Sequence, residues 1–232
     1  MHVAGEPRGR GPWRAAVAAA AWPLTLARTD IDPRSAPQLV SEGLVGARIQ
    51  PGPTELRLDF VVRHWVDLDT LVASTLAGLR DAGWYGRGLR GLRGLLATKN
   101  AHGTPGVTIS GARVAGERPP GRAALELAHS VLPRDRDGVR HWRDALEAAW
   151  AGRPLLHDVA SWIDVTVSGD RPRSLLGGLE PVLDALEPVL GRDPRGRAEL
   201  FPNDHLVTWL RVRRGAVGDP PLRLRLGPVA GD

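Results

Sequence analysis

Residues 55–79 read "ELRLDFVVRHWVDLDTLVASTLAGL", and two periodicities meet inside them. Leu56, Leu58 and Phe60 alternate with Arg57 and Asp59, which predicts a strand with one wet face. Further on, Leu71, Val72, Thr75, Leu76 and Leu79 form the stripe of a helix that closes at Gly83. A strand running directly into a helix is a building unit of α/β chains. Asp67 and Asp69 stand at the junction. If the strand persists through Asp67, both carboxylates point to one face and can share a hard cation. If the helix begins there, Asp69 is its N-cap with Thr70 at N1, and its carboxylate accepts from backbone N–H groups.

Outward from this junction the chain alternates strands and helices. Before it, residues 1–14 read as a disordered basic arm, residues 22–28 as a strand and residues 32–49 as a short helix, with "PGPT" at 51–54 as punctuation. After it, "WYGRGLRGLRG" (84–94) is a basic, glycine-rich loop leading to the strands "LLATK" (95–99) and "GVTISGARV" (106–114). "GRAALELAHSVL" (121–132) and "DGVRHWRDALEAAWAG" (137–152) read as helices, "ASWIDVTVSG" (160–169) as a strand. "RSLLGGLEPVLDALEPVLG" (173–191) is helical by periodicity, but Pro181 and Pro188 must kink or divide it. "HLVTWLRVRR" (205–214) and "LRLRLGPV" (222–229) close the chain as strands.

The two halves answer each other. "LRLDFVV" matches "WIDVTV", aligning Asp59 with Asp164; "LVASTLAGLRDAG" matches "LEPVLDALEPVLG"; "LLATKNAHGTPGVTI" matches "WLRVRRGAVGDPPLRL", aligning Lys99 with Arg213. Strand, helix, loop, strand, strand is the order in both, as in a homodimer fused into one polypeptide. The expected units are residues 15–115 and 116–232.

A 42% hydrophobic content across 232 residues is enough for a sizeable core. Of 31 basic residues only Lys99 is lysine, and the formal charge is +5. Arginine forks grip phosphate bidentately, so the charge suits an anionic partner; a GC-rich coding sequence gives the same bias. With no cysteine, disulfides, thiolate metal sites and cysteine nucleophiles are excluded. The segment 15–26 has both a strand's alternation and the basic-then-apolar order of a signal segment. No stretch approaches the roughly 20 apolar residues of a membrane span, and a cytoplasmic location is expected.

"DLDTLVASTLAGL" (67–79), "PNDHLVTWLRVRR" (202–214) and the Trp-, Ala- and Arg-rich "DGVRHWRDALEAAWAGRPLL" (137–156) together resemble the RusA family of Holliday-junction resolvases. Those enzymes are small α/β homodimers of recombination and repair that cut four-way DNA junctions symmetrically with magnesium held by three aspartates. The resemblance implies an α/β (α+β) fold of two RusA-like halves, each a small mixed sheet flanked by helices, forming a pseudo-twofold dimer. It further implies Asp67, Asp69 and Asp204 as the magnesium ligands and catalytic residues, and branched DNA as partner. A cation held there would acidify a water for attack on the phosphodiester. Arg87, Arg90, Arg93, Lys99, Arg171, Arg173, Arg211 and Arg213 are the candidate DNA-backbone contacts, with Trp84 and Tyr85 the aromatics placed to stack on an open base.

Each copy departs from the family pattern. The position matching Asp204 falls near Arg90 in the first, and the aspartate pair falls on "RPRS" (171–174) in the second. Thr70 replaces the family's asparagine, and its helix lysine falls on Ala73. A catalytic site exists only if Asp67 and Asp69 meet Asp204 across the pseudo-twofold axis. The alternatives are an inactive DNA-binding module of the same fold, and a protein-interaction domain whose basicity is genomic.

Overall fold

The computed structural model describes residues 13–16, 24–28, 36–43, 54–62, 66–85, 89, 91–168, 175, 179–193 and 202–230. It is a mixed α/β fold. The strands are β1 (Trp13–Ala16), β2 (Leu24–Arg28), β3 (Glu55–Val61), β4 (Gly94–Asn100), β5 (Gly106–Gly111), β6 (Leu125–His129), β7 (Ser161–Val167), β8 (Val207–Arg214) and β9 (Leu222–Pro228). The helices are α1 (Ala36–Gly43), α2 (Leu68–Asp81), α3 (Arg136–Trp150), α4 (Leu179–Asp184) and α5 (Glu187–Leu190). All nine strands join one sheet in the order β1-β2-β5-β3-β4-β8-β7-β9-β6. β3 and β4 are parallel, as are β7 and β8; the other neighbours, including β4 and β8 at the centre, are antiparallel.

The expected β3–α2 junction forms with a shifted boundary. β3 alternates as predicted, Leu56, Leu58 and Phe60 being buried. α2 starts at Leu68, so the N-cap position belongs to Asp67 and not to Asp69. Leu68, Leu71, Val72, Thr75, Leu76 and Leu79 turn toward the sheet. Leu68, Leu71, Val72, Leu76 and Leu79 join one large apolar cluster with Leu146 and Trp142 of α3, Val182 of α4 and inward residues of the strands. The opposite sheet face has a smaller cluster, Leu96, Val114, Trp162 and Trp209.

Other expectations are corrected. "LELAH", expected inside a helix, is β6, antiparallel to β9. Leucine and alanine favour helix, but the long-range ladder with β9 overrides that preference. The segment with Pro181 and Pro188 is divided, α4 ending at Asp184 and α5 starting at Glu187 with Pro188 in its first turn, where a missing N–H costs little. β1 already includes Trp13 and Arg14, inside the expected arm; residues 1–12 lie outside the described residues. Register also corrects the alignment of Lys99. Lys99 pairs with Phe60 and Arg214 with Val167, both on the face packed by helices. Arg213 pairs with Thr166 and so faces the other way, which separates it from Lys99. Trp84 and Tyr85 are 3% and 6% exposed and belong to the large core, so they cannot stack on a base.

α1 crosses α2 at Gly78. A Cβ there would lie 2.6 Å from the Pro37 carbonyl oxygen and 2.6 Å from the Val40 Cβ, closer than atoms pack. Gly78→Ala gains helix propensity of about 1 kcal/mol but overpacks this crossing at about 1–3 kcal/mol. The expected net result is a lower melting temperature by thermal denaturation.

Candidate active site between β4 and β8

Because β4 and β8 are antiparallel neighbours, the end of β4 lies beside the beginning of β8. Three chain segments converge there: the turn Val66–Asp67 into α2, the end of β4 with Lys99, and a 3-10 turn at Asp204–Leu206 just before β8. Lys99 ties them together. Its ammonium donates to the Val66 carbonyl at 2.9 Å and to the His205 carbonyl at 2.5 Å, one residue before Asp67 and one after Asp204.

The carboxylates crowd around this cation. Burial, then the charges of Asp67 and Asp69, pushes the Asp204 carboxyl up to about 8, and it shares a hydrogen bond with Asp67. Protonated, Asp204 donates and Asp67 accepts. Burial lowers the Lys99 ammonium to about 8, although Asp67, Asp204 and Asp69 each pull it the other way. Asp69 is raised mainly by burial, opposed by its hydrogen bond from the Thr70 N–H at 2.6 Å. Asp67 sits at the N-cap position without a side-chain capping bond, so its carboxylate is left to the cluster. Asp69 takes the local backbone contact from inside the first turn.

Sequence reasoning missed two further acids. Glu180 and Asp184 stand four residues apart on α4 and so share one helix face. That face acts on Asp69, whose carboxyl is raised in part by Glu180. Burial, then Glu180 and Asp69, raises Asp184 to about 6. The i, i+4 spacing in "LEPVLD" was the available signal. Behind the 3-10 turn, His205 and the nearly inaccessible Asp193 lie 3.6 Å apart.

Oxygen donors of this kind suit a hard cation, and magnesium commonly takes one or two carboxylates plus substrate phosphates. Asp67 and Asp204 meet that description. Among the described residues no group of three or more His, Cys, Asp or Glu side chains is arranged to hold a metal ion. Asp67 and Asp204 share the hydrogen bond, and Asp69 stands close enough for its charge to act on Asp204.

The expected DNA contacts separate. Lys99 is internal to the acid cluster and corrected from a backbone contact. Arg211, 4% exposed, is corrected too: its fork grips Asp164, Nε to Oδ1 at 2.9 Å and Nη2 to Oδ2 at 2.5 Å. Arg93 is exposed on the loop before β4, and the Arg213 side chain is one-third exposed. Arg87, Arg90, Arg171 and Arg173 lie outside the described residues. No helix among the described residues is long and apolar enough to cross a membrane. No protein-family model matches the chain, and no curated protein matches it.

Proposed function

We propose that this chain is a structure-selective DNA-binding protein of two RusA-like halves, working in the cytoplasm in recombination or repair, and that its acid cluster hydrolyses phosphodiesters with magnesium. The observation that carries the reading is the contact between Asp67 and Asp204, which come from opposite halves of the sequence. The topology supports the duplication: β2-α1-β3-α2-β4-β5 and β6-α3-β7-α4-α5-β8-β9 have the same order and the same strand neighbours about the β4–β8 pair. Asp67 and Asp204 would hold the magnesium. The bound ion supplies charge neutralisation on the non-bridging phosphate oxygens and acidifies the attacking water. Asp69, tied to the Thr70 N–H, fixes the start of α2, and Lys99 keeps the two segments in register. At the mirror position the described residues include Arg214, whose Nε lies 3.4 Å from the Leu92 carbonyl, and the exposed Arg93.

The inactive module is the second reading, favoured by the lysine ammonium already lodged among the carboxylates. Nicking of a labelled four-way junction separates the two. Magnesium-dependent cleavage by the wild type, lost in Asp67→Asn with junction binding retained, is the result expected of the enzyme. Binding without any magnesium-dependent cleavage leaves the module. Equal and negligible affinity for junction and duplex in a salt-dependent gel shift removes both.

A further inference from the structure

Asp204 reaches Asp67 on a 3-10 turn of three residues, Asp204–Leu206, and the N-cap residue Asn203 makes no side-chain capping bond to it. Successive side chains of such a turn stand about 120° apart. Asp204 faces Asp67, with which it shares a hydrogen bond, and His205 points elsewhere. Its Nδ1 lies 3.6 Å from Oδ2 of Asp193, and the two side chains are 9% and 1% exposed. The contact is longer than a hydrogen bond, so it acts by charge between two enclosed groups.

Backbone contacts bring Asp193 to this place. The Asn203 N–H donates to the Gly191 carbonyl at 2.9 Å, Asn203 Nδ2 donates to the His157 carbonyl at 2.8 Å, and Arg192 forms a β-bridge with Pro202. Gly191 makes the approach possible: its φ of 75° turns the chain out of α5, and a Cβ there would stand 3.0 Å from the His157 Cβ. Two residues later Asp193 lies against the turn. These bonds place the backbone of residues 202 and 203, and the Lys99 ammonium holds the His205 carbonyl from the β4 side. None of them grips a side chain of the turn itself.

We infer that Asp193 is a positioning residue of the acid site: through the His205 imidazole it sets the rotation of the 3-10 turn, and so the direction of the Asp204 carboxylate toward Asp67. His205 cannot swing without carrying Asp204 on the adjoining peptide. Lys99 and Asp193 hold it at its two ends, one by the carbonyl and the other by the ring. A buried charge is harder to accommodate than an apolar side chain of the same size, and what Asp193 orients accounts for its presence. Asp193 is too enclosed to touch substrate and acts only through His205. The inference rests on the magnesium reading of the acid cluster, and its test reads the turn separately from the chemistry.

The test uses the full chain as wild type, Asp193→Asn, His205→Gln and the double variant. In magnesium-free protein, amide exchange by NMR is followed at Val207, whose N–H donates to the Asp204 carbonyl and so reports whether the turn is closed. Val207 is expected to exchange about tenfold faster in either single variant while the α2 amides keep their rates. The double variant exchanges no faster than the singles, because the two residues act as a unit. The magnesium concentration for half-maximal nicking of a labelled four-way junction rises about tenfold in the same three proteins, with KM for the junction unchanged. A mere loss of folded protein lowers the rate and leaves that concentration where it was. Asp137→Asn, exposed on α3, changes neither reading. Should Asp193→Asn fail to fold, His205→Gln carries the same expectations, since it removes the ring and keeps the carbonyl that Lys99 holds; fast Val207 exchange in the wild type overturns the fixed turn outright. Wild-type exchange in both single variants, losses that add in the double variant, or faster exchange with unchanged magnesium dependence each overturns Asp193 as a positioning residue and leaves the acid-site reading intact. A wild type that neither nicks DNA nor gains stability from magnesium removes the acid-site reading, and this role with it, even where the turn loosens.

Discussion

Asp204→Asn is expected to raise the melting temperature at pH 8 by about 5 °C while reducing magnesium-dependent nicking about a thousandfold. The two effects have one cause. Asp204 is an ordinary carboxyl in the unfolded chain and lies at about 8 in the folded one, so between those values the native state binds the extra proton. Stability therefore falls as pH rises from about 4 to about 8. Asparagine cannot ionise, and its amide can still donate to Asp67. The variant matches the wild type near pH 4 and is the more stable protein near pH 8, with the gap opening through that window. Lys99 loses an attractive partner in the exchange, which holds the gain to a few degrees. Magnesium should stabilise the wild type more at pH 8 than at pH 5.5 and have little effect on the variant, because a ligand that binds only the native state adds stability by mass action. Differential scanning fluorimetry across pH, with and without magnesium, reads both effects. A variant less stable than wild type at pH 8 would mean that the carboxylates are structural anchors for Lys99 and not a centre kept at a cost to stability.

Local pattern made the junction of β3 and α2 legible, because a change from alternation to a helical stripe needs only about 25 residues of context. Where α2 starts was not legible: Asp67 and Asp69 both make good caps, and the choice depends on where the chain leaves β3. The β6 error has the same origin. "LELAH" is a sound helical pentapeptide, and only the ladder with β9 makes it a strand. The fates of Lys99 and Arg211 were hidden for a different reason. A basic residue on a strand looks alike in sequence whether it meets solvent, a carboxylate or a carbonyl, and here the partners are remote in sequence. Asp164 alternated with apolar neighbours as a wet-face residue should, yet every residue of β7 is buried, because the segment around Val114 and Glu117 covers that face. Lys99 did carry a signal. In a chain that otherwise uses arginine throughout, a site that requires the compact, three-donor ammonium stands out.

Arg211→Met should lower stability by about 3 kcal/mol, the lower end of what breaking a buried ion pair costs, and so lower the melting temperature by roughly 6–12 °C. Asp164 is 1% exposed, and without Arg211 its charge keeps only the distant Arg213 and Arg225; those two hold the loss to the lower end. Arg211 also donates from Nη1 to the carbonyls of Val114, at 3.4 Å, and Glu117, at 2.5 Å, and its guanidinium lies 5.6 Å from the Trp209 ring centre. The same substitution therefore loosens the segment that covers the second sheet face. Removing both charges, Asp164→Leu with Arg211→Met, leaves no buried ion and should cost markedly less than the two single losses added together. The remaining deficit is that of the two carbonyls, which lose their donor and are offset only as far as the segment can open to water. Denaturant titration of the two single variants and the double variant measures the coupling. Additive losses would mean that the pair is spectator to a backbone effect. If Arg211→Met instead left stability unchanged and reduced the salt dependence of DNA binding, the guanidinium would face solvent and bind phosphate, and the centre of the sheet would have to be rebuilt around an uncompensated aspartate.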